Sequence, residues 1–170
     1  MNIFFLDQCP ETAAQTVCDK HVVKMPLESA QMLVTAASLN GADPEILPYK
    51  PAYKSHPMTK WVAESVQNFD WLWRHGKELC REYTERYHRT HACEEHIVRM
   101  IEHRHRFQFG NGFMTPIPIC DGKTKHRADI SLAVEFYRDY YRTEKRRFAR
   151  WIRNKPDWFD EHKIPETVLD

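Results

Sequence analysis

Four polar residues, Lys20, Lys24, Glu28 and Gln31, recur at i, i+4, i+8 and i+11 in a stretch that opens Asp19-Lys20-His21. At the helical repeat they form one strip, two cations beside a single carboxylate. Such a strip suits chemistry on an anionic substrate. A solvated charge ladder is the plainer account, since charged helix faces are common and an i,i+4 ion pair contributes only about 0.2–0.5 kcal/mol. Here the lysine precedes the glutamate, which is the weaker orientation, and His21 adds a third basic group one turn from Lys24. A stabilising ladder therefore explains the strip poorly.

An apolar stripe of Val23, Leu27, Ala30, Val34 and Ala37 flanks the strip and predicts that this side of the helix faces a core. Ahead of it, Met1-Asn2-Ile3-Phe4-Phe5 reads as an extended segment, with Ile3 to Leu6 packed inward so that the terminus is fixed in space. Pro10 opens a helical turn over Glu11 to Cys18. Pro26 is expected to bend or restart the main helix and Asn40-Gly41 to end it. A proline-rich connection leads to His56-Pro57, a good helix start. The stripe that follows, Val62, Val66, Phe69, Trp73, Cys80, Tyr83 and Tyr87, predicts one long helix. Its aromatics read as core and not as a base-stacking row, because their spacing is helical and one-sided.

A shorter helix is expected from His91 to Arg104. The segment from Phe107 to Arg127, with Gly110-Asn111-Gly112 and Pro116, reads as a long loop, and long loops in small domains are commonly functional. The last predicted helix carries Ile130, Ala133, Val134, Tyr137, Tyr141 and Phe148 and ends near Trp151-Ile152; Lys155-Pro156-Asp157-Trp158-Phe159 and an acidic tail follow. No strand alternation of useful length occurs. The expected fold is all-α, one domain over residues 1–170: a bundle of about four to five helices with long loops and an N-terminal extended segment.

A net charge of +1 excludes a whole-molecule basic field, so any nucleic-acid surface must be local. Candidates are the Lys20/His21/Lys24 strip, His103-Arg104-His105-Arg106, Lys123 to Arg127, and Lys145-Arg146-Arg147 with Arg150 and Arg153. Five cysteines without a C-x-x-C signal neither a disulfide framework nor a zinc knuckle. No apolar run reaches membrane-spanning length and no secretion signal is present, so a cytoplasmic location without a membrane partner is expected. Ten histidines invite a metal, and His88, His91 and His96 lie close to Glu94 and Glu95. None of these sets has a recognised ligand spacing, and no phosphate-cradling or dinucleotide glycine motif occurs, so neither metal nor cofactor is expected. His56 could offer an imidazole and free helix N–H groups to a phosphate, or be a plain helix entry. Trp158 could be a stacking platform or a flap closing over the core, the flap being the commoner role near a chain end.

The order of these features resembles the phage pyrimidine-dimer DNA glycosylases of the endonuclease V type. The matching pieces are the extended Met1 to Phe5, Asp19-x-His21 with Glu28 nine residues after the aspartate, His56 ahead of a long helix, and Lys155-Pro156-Asp157-Trp158-Phe159 after the last one. The resemblance implies an all-α enzyme without a metal, in which an N-terminal amine attacks the deoxyribose and a helix glutamate assists. Carried over, Met1 supplies the amine and Glu28 the carboxylate. Lys20, His21 and Lys24 would hold backbone phosphates, with Asn2, Gln31, His56 and Trp158 around the substrate. Leu27 and Gln31 stand where the family tends to carry arginines, and a residue as large as Asn2 should leave Met1 in place. The chemistry is reasonable, because α-amines as a class titrate close to neutrality and form imines with sugar carbons. A base inside a duplex must first be unstacked or flipped out, and the Phe107 to Arg127 loop is the expected intruding or shaping element.

The implied function is a DNA N-glycosylase with abasic-site lyase activity as a possible companion. Two alternatives stand beside it: an N-glycosidase or transferase acting on a free or modified nucleotide, and a non-catalytic helical module that binds nucleic acid or protein.

Overall fold

The computed structural model describes residues 1–120, 122 and 126–161. Among them six α-helices follow in order: α1 Pro10–Thr16, α2 Asp19–Leu39, α3 Pro57–Glu64, α4 Val66–Tyr87, α5 Glu94–His103 and α6 Ile130–Tyr140. A two-residue antiparallel ladder joins β1 Ile117–Pro118 to β2 Arg127–Ala128, with Ile117 opposite Ala128. The fold is all-α. The predicted basic residues Lys123 to Lys125 and the acidic tail from His162 onward lie outside the described residues.

Helices α2 and α4 form the centre, with α1 on α4, α3 on α2, and α5 against both. Their close approach depends on Gly76, where a Cβ would come within 3.2 Å of the Ser29 Cβ and 3.5 Å of the Ile97 side chain. Through this framework runs the N-terminal segment, without regular secondary structure and with Ile3, Phe4, Phe5 and Leu6 all buried. The Phe5 ring lies 5.3 Å from Trp61 and 4.4 Å from Trp71. Both indoles also satisfy their polar edge, Trp61 donating to the Thr115 carbonyl and Trp71 to the Gln8 carbonyl, each at 3.0 Å. Sequestering four apolar residues this way fixes the start of the chain against α2, as the sequence pattern implies.

The long helix expected from Pro57 to Tyr87 is two helices. At Ser65 the backbone turns extended (φ −148°, ψ 158°), and its hydroxyl accepts the Asn68 N–H at 3.1 Å to cap α4. Val66 donates to the Asn111 carbonyl at 3.0 Å, so the break also fastens the Phe107–Arg127 segment to the body. That segment is a loop only in part, since it contributes β1 and buries Phe107, Ile117 and Ile119. Pro26 does not restart α2, which runs unbroken with Pro26 itself buried in the packing. Regular α-helix stops at Tyr140, short of Trp151, and continues as a π-helical turn over Tyr141–Lys145.

The apolar stripe predicted on α2 divides. Ala30, Val34 and Ala37 are buried, whereas Val23 and Leu27 are 47% and 44% exposed. The inward face at that level belongs to Val22, Met25 and Ser29. Around Asp19, the fully buried side chain of Arg86 joins α4 to the α1–α2 junction. It donates to Glu82 at 3.0 Å, to Asp19 and the Val17 carbonyl at 2.9 Å, and to the Gln15 carbonyl at 2.9 Å.

Candidate active site

Glu28 lies at the edge of the core, its side chain 11% exposed, and three groups converge on its carboxylate. Oε2 accepts the Asn2 backbone N–H at 2.9 Å and is 3.8 Å from the Met1 amine nitrogen. Oε1 pairs with Lys24 Nζ at 3.0 Å. The buried N-terminal segment and the regular α2 helix thus bring amine, carboxylate and one lysine together.

Met1 and Asn2 are clamped from both sides. The Met1 side chain is 5% exposed, and its sulfur accepts the Thr59 hydroxyl of α3 at 3.6 Å. Asn2 donates through Nδ2 to the Cys120 carbonyl at 3.1 Å, while its Oδ1 accepts the Ile3 N–H at 2.9 Å and the Tyr137 hydroxyl at 3.2 Å. Tyr137 Oη also accepts the Cys120 N–H at 3.1 Å, closing the clamp. Asn2 therefore acts through its side chain on the protein itself.

His56 is the N-cap of α3, its Nδ1 accepting the Met58 N–H at 3.2 Å, which leaves the ring proton on Nε2 in the neutral form. Partial burial lowers its pKa first, the positive Met1 amine lowers it further, and Glu28 opposes both. His56 therefore shares one electrostatic environment with the amine and the carboxylate. Its chain neighbours Ser55 and Pro57, with Lys60, His126 and Arg127, line a cavity of about 290 Å³.

The remaining predicted residues separate. Lys20 and Lys24 are exposed, and Lys20 Nζ sits 5.1 Å from the Phe148 ring centroid. Lys145 Nζ approaches the same ring at 6.0 Å, so the π-turn adds a third cation to this flank. Gln31, half-buried, lies one turn beyond Glu28 on α2. His21 does not join the exposed strip. It is buried, stacked on Phe4 at 4.4 Å with the planes 8° apart, and its Nδ1 is hydrogen-bonded to the Tyr141 hydroxyl. Burial, then Lys145 and Lys24, push its pKa from 6.5 down to about 3, so it is neutral at physiological pH. Trp158 is buried as well, 6.3 Å from Tyr141 and beneath the Arg138 guanidinium at 5.4 Å, the arrangement of a docked flap.

Among the described residues no group of three or more His, Cys, Asp or Glu gathers to hold a metal, and no helix is long and apolar enough to cross a membrane. His91 instead caps locally, its Nδ1 accepting the Cys93 N–H at 3.1 Å and its Nε2 reaching the Val23 carbonyl at 3.2 Å. The residues that sequence reasoning missed are Thr59, Cys120 and Tyr137. Tyr137 reads as a core aromatic from its helical spacing, and the only hint of more is that a buried tyrosine hydroxyl needs a partner.

No curated protein and no solved structure matches the chain. The family model described as pyrimidine dimer DNA glycosylase matches residues 1–95, which contain Met1, Asn2, Lys24, Glu28, His56 and Thr59. With the match extending over more than half of its length and over both partners of the amine–carboxylate pair, this chain belongs to the pyrimidine dimer DNA glycosylase family.

Proposed function

We propose that the Met1 amine is the nucleophile of a DNA N-glycosylase and that Glu28 moves the protons of the reaction. The observation that carries this reading is the single Glu28 oxygen shared by the Asn2 N–H and, at 3.8 Å, the Met1 amine. An unprotonated amine donates its lone pair to C1′ of the nucleotide. The new N–C1′ bond forms as the glycosidic bond breaks, and the base leaves with that electron pair and takes up a proton. Loss of the amine proton and opening of the sugar at its ring oxygen leave an imine. Glu28 is within reach to accept the amine proton and return it to the ring oxygen. Removal of a C2′ proton from the imine would then expel the 3′ phosphate, which is the lyase step.

Lys24, Lys20 and Lys145 supply the local positive surface that the overall charge of +1 does not. Neutral His56 can donate from Nε2 towards a phosphate or sugar oxygen. Membership of a DNA glycosylase family favours polymeric DNA over a free nucleotide and catalysis over simple binding.

Borohydride reduction in the presence of abasic-site DNA tests the assignment. A covalent complex should form, peptide mapping should place the adduct on the Met1 nitrogen, and acetylating or extending the terminus should abolish it. An adduct on Lys20 or Lys24 moves the nucleophile, and no adduct at all removes the amine mechanism.

A further inference from the structure

Eight residues before α3 begins, the chain starts a short proline-bracketed loop, Tyr49-Lys50-Pro51-Ala52-Tyr53-Lys54-Ser55-His56. Tyr53 in this loop is 62% exposed and has a left-handed backbone, with φ 55°. A large non-glycine residue in that region is strained, and strain of this kind persists only where the surroundings impose it. The surroundings are visible on both sides. Buried Thr35 of α2 holds Ala52 twice, its hydroxyl donating to the Ala52 carbonyl at 2.9 Å and accepting the Ala52 N–H at 3.0 Å. After Tyr53, the His56 N–H returns to the Tyr53 carbonyl at 3.0 Å, closing a turn that leads into α3.

A tyrosine whose main chain is pinned and strained while its ring stands in water has no packing role that explains the arrangement. Exposed lysines, Lys50 and Lys54, flank it, and neither pairs with a carboxylate among the described residues. Its location relates directly to the active site. His56, three residues on, senses the Met1 amine and Glu28. Thr35 lies seven residues beyond Glu28 on α2, about two turns or roughly 10 Å along the axis. That is the distance of about three nucleotide steps at roughly 3.4 Å each. An aromatic ring set between lysines at this range fits a polyanion carrying flat π-faces.

We infer that Tyr53 stacks on a nucleobase about three steps from the nucleotide handled at Glu28, bracing the strand on that side when that nucleotide leaves the duplex. This rests on the proposed function above and extends it, since it assigns a base-stacking contact to the 49–56 loop.

The test uses the full chain and duplexes containing a tetrahydrofuran abasic analogue with 2-aminopurine three nucleotides to its 5′ or its 3′ side. The analogue cannot form an imine, so stacking is read apart from chemistry. Wild type should quench the 2-aminopurine. Tyr53→Ala should bind about 5- to 150-fold more weakly and leave the probe bright, whereas Tyr53→Trp should retain both properties. Tyr53→Gly, which suits a positive φ, should melt no lower than wild type while losing the quench, which separates stacking from folding. Equal binding and quenching by wild type and Tyr53→Ala overturns the inference. So does loss of quenching in Phe113→Ala, an exposed aromatic on the longer segment, with Tyr53→Ala unaffected. Quenching that depends on Tyr53 in a protein that borohydride does not trap would uphold the stacking role and remove the amine mechanism alone.

Discussion

Glu28 Oε2 accepts the backbone N–H of Asn2 at 2.9 Å, so the carboxylate assigned to proton transfer also fixes the residue next to the amine. These two roles separate by substitution. Glu28→Gln keeps an oxygen for the Asn2 N–H but carries neither charge nor exchangeable carboxyl proton. DNA affinity should be retained within a few fold, and single-turnover cleavage should fall by at least about 10²-fold. Glu28→Ala should lose both the chemistry and the anchor. Full activity in Glu28→Gln would return this carboxylate to a positioning role.

Lys24 is the exposed partner of the same carboxylate, with its side chain 69% accessible. A surface ion pair of this kind contributes little to stability. Lys24→Ala should therefore leave the melting temperature nearly unchanged. Its effect belongs to binding, where the slope of log Kd against log salt should flatten by about one counterion. An unchanged slope would place the phosphate contact elsewhere, with Lys20 and Lys145 next in line.

His75 gives the fold an acid-sensitive point. It is fully buried on α4, stacked on Trp71 at 5.1 Å, and neither ring nitrogen has a hydrogen-bond partner. Burial lowers its pKa from 6.5 to about 3, as it does for His21. Between those values the unfolded chain binds the proton and the native one does not. Stability is therefore complete above about pH 6.5, falls as pH drops towards about 3 at up to roughly 1.4 kcal/mol per unit for each histidine, and levels off below. His75→Phe should make thermal stability between pH 7 and 4.5 less steep while costing little at pH 7. Parallel melting profiles for wild type and variant would show that His75 does not carry the dependence.

Arg86 tests how the C-terminal segment is held. Asp19 accepts from Arg86 and also from the Ile152 N–H at 3.1 Å, and Glu82 accepts from Asn154 at 3.0 Å. Arg86→Met leaves two carboxylates short of their buried partner and should cost about 3–5 kcal/mol by denaturant titration. A loss below about 1 kcal/mol would mean that solvent replaces the guanidinium without difficulty.

The part of the site legible in the sequence is the part written along one helix. Lys24 and Glu28 meet because i,i+4 residues on a helix must be neighbours, and the apolar Ile3–Leu6 run announces that the chain start is buried. Which flank of α2 faces inward was not legible, because Val23 and Leu27 are apolar yet sit on the exposed side. The Ser65 break was hidden by an apolar rhythm that runs on from Val62 through Val66 to Phe69. Its cap, a serine three residues before Asn68, is visible only once a break is suspected. Residue type also misleads at His21, where a basic side chain becomes neutral through burial that only the tertiary fold creates. The Asn2 clamp joins residues 118 and 135 positions apart, a relation that no local periodicity encodes.

That last separation also sets a clock. Asn2 is held by the Tyr137 hydroxyl, 135 residues further along the chain. A ribosome adding about 5–20 residues per second needs roughly seven to thirty seconds to cover that interval. During this time Glu28 and the amine have both been made, but the hydroxyl that steadies the residue between them has not. The emerging polypeptide therefore carries the amine and the carboxylate without the finished clamp, which closes only when α6 is complete.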